Sequence, residues 1–156
     1  MSDAVSRTIA LLLALAAQPL CASNVRASGY RVSDIQARLL YEQTGSLSVD
    51  LTAHPEFAVW NVIIGEGSAL ENADDLLVSA VIDGDEESNS RTPLIITVRN
   101  FHGKVIANHA SKGMLLEKKT VRSILLHEVG CAGKMRIEAR FGVSVRTETI
   151  SMDCGE

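Results

Sequence analysis

The sequence predicts an all-β fold, and three features carry that prediction. Apolar residues alternate with polar ones, no long segment draws an amphipathic helix, and Gly, Asn, Asp and Ser turns punctuate the chain at short intervals. About eight or nine short strands spaced in this way fit a sandwich or a small barrel.

Residues 1–27 read as a signal peptide that precedes the fold. Arg7 stands before the apolar run Ile9 to Ala17, which is too short to span a bilayer and suits a leader core, and Pro19 breaks the helix after it. Small residues offer cleavage after Ala22 or after Ala27. A lipoprotein is disfavoured, because Gln18-Pro19-Leu20 lacks the two small residues that usually precede a lipidated cysteine such as Cys21. Cleavage after Ala22 removes one acid (Asp3) and one base (Arg7) and leaves the charge at −4; cleavage after Ala27 also removes Arg26 and gives −5. An acidic chain of this kind is a poor nucleic-acid partner. After signal cleavage no segment is apolar and long enough for a transmembrane span. Residues 28–156 therefore form one domain, periplasmic or secreted.

The alternation is clearest in "GKMRIEARFG" (133–142), where Met135, Ile137, Ala139 and Phe141 fall on one face and Lys134, Arg136, Glu138 and Arg140 on the other. "DIQARLLYE" places Ile35, Ala37, Leu39 and Tyr41 together, and "SLSVDLTA" does the same with Leu47, Val49 and Leu51. "TPLIITVRN" and "KVIANHA" flank the turn Asn100 to Gly103 and predict a hairpin, with Pro93 at the strand start where proline is tolerated. "FAVWNVII" and "LLVSAVID" are nearly continuous apolar runs and predict central strands. "TVRSILLHEV" and "VSVRTETISM" supply the remaining strands. "DGDEESNSRTP" (83–93) is acidic and serine-rich and predicts an exposed connection.

Export makes Cys131 and Cys154 an even pair in an oxidising compartment, most simply one disulfide that pins the C-terminus and contributes about 3 kcal/mol by loop closure. A catalytic thiol would need an activating neighbourhood, and neither cysteine has one in its local sequence.

Three patterns offer candidate sites. Gly65-Glu66-Gly67 carries the first two glycines of a dinucleotide fingerprint, but Leu70 stands where the third belongs and no βαβ pattern follows. The pair reads either as a strand-ending turn or as a partner-facing loop with Asn72, and Trp60 behind it shares a face with Ala58 and Val62, as a core residue would. Asp83 and Asp85 alternate like the opening of a calcium loop, but Ser88 replaces the required glycine and no glutamate closes it. A calcium site would therefore have to borrow Asp74 or Asp75. His54, His102, His109 and His127 share no metal-ligand spacing, and a hydrolase would need His127 to meet an acid from another strand, since no Gly-x-Ser-x-Gly elbow is present.

"HEVGCAGKMRIEARFG", a small-residue corner with a cysteine followed by an alternating strand, resembles the late strands of immunoglobulin-like modules in exported bacterial proteins. The run Phe57, Trp60, Asn61 and Ile63 to Gly67 resembles a pattern in small, uncharacterised exported proteins of Gram-negative bacteria. The resemblance implies a single Ig-like antiparallel β-sandwich and an envelope location. It carries over no catalytic residue, and it carries over no disulfide, because both cysteines follow the tryptophan. The sequence as a whole thus leads to a non-catalytic binding protein that meets another envelope protein through loops 65–75 and 83–91. A calcium-dependent binding module is the first alternative and an envelope hydrolase the second.

Overall fold

Alternation becomes strand almost everywhere that one face can be buried. The computed structural model describes residues 29–57, 68–70, 73–130 and 132–152, which hold nine strands and no helix. In chain order these are β1 (Arg31–Leu40), β2 (Asp75–Asp83), β3 (Ser88–Ser90), β4 (Leu94–Asn100), β5 (Val105–Ser111), β6 (Met114–Leu116), β7 (Lys119–Leu126), β8 (Gly133–Phe141) and β9 (Ser144–Met152). They make a three-stranded sheet β1-β2-β7, a four-stranded sheet β5-β4-β8-β9 and a small ribbon β3-β6, with every pairing antiparallel.

The two larger sheets face each other across one core. Ile35, Ala37, Leu39, Leu76, Val78 and Ile82 of the first sheet and Leu94, Ile96, Val98, Met135, Ile137 and Phe141 of the second all belong to the same buried cluster. Each fully buried aliphatic or aromatic side chain there stabilises the fold by about 1.5–3 kcal/mol. β2 lies between β1 and β7 and is buried along most of its length, as its continuous apolar run predicts. The expected hairpin forms from β4 and β5, closed by Asn100 N–H to Lys104 O (3.0 Å) and by Gly103 at φ 79°.

Among the described residues the sandwich is shut along one side and open along the other. On the shut side β1 packs along β9: Ser144 Oγ accepts the Val32 N–H at 3.0 Å, and Arg146 lies 3.8 Å from Asp34. On the open side stand β5 and β7, which meet only sparsely, each with one edge unpaired by any described strand.

Two expectations change. "SLSVDLTA" is not a strand: apart from one bridge between Leu40 and Leu47, it follows the outer edge of β1 by a mixture of backbone and side-chain hydrogen bonds, and it leaves Leu47 (44%) and Val49 (47%) exposed while burying Ser48. Its polar residues turn inward because β1's backbone needs hydrogen-bond partners, and Ser48 and Asp50 supply them. The connection 83–93 is not wholly a loop, since Ser88–Ser90 pairs with Met114–Leu116. The expected strand "FAVWNVII" lies largely outside the described residues and is neither met nor changed. No helix among the described residues is long and apolar enough to cross a membrane.

Candidate functional site

Gly65, Glu66, Gly67, Asn72, Cys131 and Cys154 lie outside the described residues. The flanks of the two expected binding loops do not converge. Asp75 opens β2 and Asp83 closes it, so residues 73–75 and the segment 83–91 stand at opposite ends of one strand, about 26 Å apart at strand rise. That separation also rules out the calcium arrangement in which Asp83 and Asp85 share a site with Asp74 or Asp75. Asp83 instead falls in register between Arg31 and Lys119. Among the described residues no three His, Cys, Asp or Glu side chains gather as a metal site.

All four histidines are exposed. His54 pairs locally with Glu56 at 3.0 Å. The Glu56 carboxyl is held below the usual range first by a backbone hydrogen bond and then by that contact. His127 does find an acid from another strand: Asp75 Oδ2 accepts from its Nδ1 at 2.9 Å, while Asp75 Oδ1 accepts the Glu128 N–H at 3.3 Å. The register explains the meeting, because Leu76 pairs with Leu126 and each chain then continues one residue outward. Val129 N–H donates to Asp74 O at 2.8 Å, and Glu128 between them is held in the left-handed region at φ 55°. A non-glycine residue there carries backbone strain, a feature that collects at functional sites.

This corner borders the open side of the sandwich. A groove of about 530 Å³ runs there, lined by Ile106 and Ala107 of β5, Leu125 and Leu126 of β7, and His127 and Glu128 beyond it. Ile106 reaches the groove because β5 carries a bulge: Val98 pairs with Ala107 and Arg99 with Val105, which leaves Ile106 as the extra residue. Bulges re-aim side chains in this way. Val105 (41%), Ile106 (40%) and Leu125 (39%) remain exposed around it. Among the described lining residues none is Ser, Thr or Cys.

Neither the groove nor its His–Asp corner was found in the sequence. Asp75 and His127 are 52 residues apart, and their meeting follows from register. One signal was available: from Val105 to Ser111 the chain carries no Asp, Glu, Lys or Arg, which is unusual for an edge strand.

No protein-family model matches the chain. No curated protein matches it either. Among solved structures it is similar to an immunoglobulin-like protein from Pseudomonas aeruginosa, at 10% identity and a TM-score of 0.41, over 78% of this chain and 94% of that one.

Proposed function

We propose that this chain is an exported, single-domain β-sandwich, freed of residues 1–27, that holds an extended segment of another envelope protein along the open edge of β5 without catalysing a reaction. The observation that carries this reading is the contrast between two edges of one molecule. The outer edge of β1 is covered by residues 46–52, whose side chains and backbone occupy its hydrogen-bonding groups. Among the described residues nothing covers the edge of β5, which is uncharged and exposed along nearly its whole length and has at its foot a groove lined mostly by apolar side chains.

Proteins ordinarily protect such an edge with charge, proline or a covering segment, because its free N–H and C=O groups template another strand. Strand addition draws affinity from those main-chain bonds, and adjacent pockets supply side-chain selectivity. Ile106, Leu125 and Leu126 would take an apolar side chain of the added segment, with His127 and Glu128 reading a polar one beside it. The leader argument supports the compartment.

Site-specific photo-crosslinking in the intact envelope tests this. A probe at Asn108 on β5 should give a discrete adduct that a probe at Thr147 on β9 does not, and an added Asn108→Lys exchange at the free edge should weaken the complex. Equal adducts from both positions, or none from Asn108, would remove the β5 edge as the recognition surface.

A further inference from the structure

A second surface, separate from the β5 edge, gathers cations at the tip of the β4–β5 hairpin and the start of β8. Arg99 and Arg136 are direct register partners on β4 and β8, and both are exposed. Lys134 lies two residues before Arg136 on the same face, and Lys104 stands in the hairpin tip. Like charges placed opposite each other on a sheet oppose pairing. The other arginines of this sheet are compensated: Arg140 meets Glu138 at 3.0 Å, and Arg146 meets Glu148 at 3.0 Å. Arg99, Lys104, Lys134 and Arg136 meet no carboxylate among the described residues, although the chain as a whole is acidic at −4. Arg99 donates instead to the Gly103 carbonyl at 3.2 Å.

An aromatic residue completes the surface. Phe101 sits at the tip with 66% of its surface exposed, its ring 3.7 Å from that of His102. The turn beneath it is firmly made, because Asn100 Oδ1 accepts both the His102 N–H (3.1 Å) and the Lys104 N–H (3.0 Å). Behind Phe101, a depression of about 330 Å³ is bordered by Arg99, Lys134, Arg136 and Thr149.

We infer that this tip docks onto an anionic lipid surface, with Phe101 entering the headgroup layer and Arg99, Lys104, Lys134 and Arg136 meeting lipid phosphates. A free oxyanion would engage the cations and leave no role for an exposed phenyl ring carried on the firmly made hairpin tip. A lipid surface uses both, because aromatic rings settle at the membrane interface and basic side chains are drawn to anionic headgroups.

Vesicle flotation of the purified protein tests the inference. Binding is expected to phosphatidylcholine vesicles that contain phosphatidylglycerol, not to phosphatidylcholine alone, and it should fall as salt rises. Arg136→Gln should lower partitioning about fivefold and the Arg99→Gln/Arg136→Gln pair about 25-fold. Phe101→Ser should weaken binding while keeping its salt response, and Lys119→Gln, outside the surface, should change nothing. All four positions are exposed, so near-UV circular dichroism should show each variant folded. Failure to bind the phosphatidylglycerol vesicles would overturn the inference, as would a double variant that binds undiminished. Phe101→Ser without effect, or displacement by inorganic phosphate beyond chloride of equal ionic strength, would assign the cations to a soluble anion or an acidic protein instead.

Discussion

The Ser48 hydroxyl accepts the backbone N–H of Leu39 at 2.9 Å, and the Leu39 carbonyl accepts the Ser48 N–H at 3.0 Å. Two residues further on the exchange repeats with a carboxylate. Asp50 Oδ1 accepts the Ala37 N–H at 2.9 Å, and Ala37 O accepts from Leu51 N–H at 2.8 Å. Thr52 Oγ1 then donates to Ile35 O at 3.0 Å. The outer edge of β1 is thus satisfied by side-chain oxygens standing in for a strand's carbonyls and by the backbone amides of Ser48 and Leu51, and it offers a second chain no template.

Ser48→Ala should therefore cost more than its size suggests. The exchange strands the Leu39 N–H at a buried position, and an unsatisfied buried donor costs about 1–3 kcal/mol. Urea unfolding should show a lower midpoint with an unchanged slope. A loss well below that range would mean that water reaches the Leu39 amide, and the side-chain cover would then be looser than its hydrogen bonds indicate.

Gly84→Ala should also destabilise, by about 1–3 kcal/mol, as overpacking does. A Cβ at Gly84 would run into the Tyr30 ring. Tyr30 cannot simply swing away, because its hydroxyl donates to Glu86 O and its ring meets Phe141 edge-on at 6.5 Å. Tyr30→Ala in the same background should recover part of the loss. An additive double variant would show that the ring is not what opposes the Cβ.

Strands that bury one face were legible because burial and period coincide. Met135, Ile137, Ala139 and Phe141 are all buried where the alternation places them, and so are Ile35, Ala37, Leu39 and Tyr41. Leu47, Val49 and Leu51 show the same period and mislead, because the backbone demand of β1 outweighs the burial of two aliphatic side chains. The ribbon β3-β6 is three residues a strand, too short for periodicity to register. The groove was illegible for a different reason: the meeting of Asp75 with His127 and the turning of Ile106 are products of register and of a bulge, which residue type does not encode.

Calcium in excess should leave the melting temperature where it is. A ligand that binds the native state stabilises it, but Asp83 lies beside Arg31 and Lys119 in the sheet register. Asp74 and Asp75 lie at the far end of β2, where Asp75 already accepts from His127 and Glu128. A calcium-dependent rise in melting temperature that Asp83→Asn/Asp85→Asn abolishes would restore the calcium module and displace the β5 edge from its place in the functional reading.

Glu128 supplies a test that joins stability to function. Its φ of 55° costs an L-residue about 1–2 kcal/mol, which glycine does not incur. Part of that gain is returned through the greater freedom of glycine in the unfolded chain. Glu128→Gly should therefore raise stability by up to about 1 kcal/mol, seen as a higher urea midpoint. The residue nonetheless keeps this conformation at the lip of the groove, with its N–H tied to Asp75 and the next one to Asp74. If the strain serves recognition, the stabilised variant should give a weaker Asn108 crosslink in the envelope, since the side chain at the groove's lip is gone. A variant that gains stability and keeps its crosslink would make Glu128 dispensable to the partner. One that loses stability would show that the two hydrogen bonds at this corner depend on the glutamate itself.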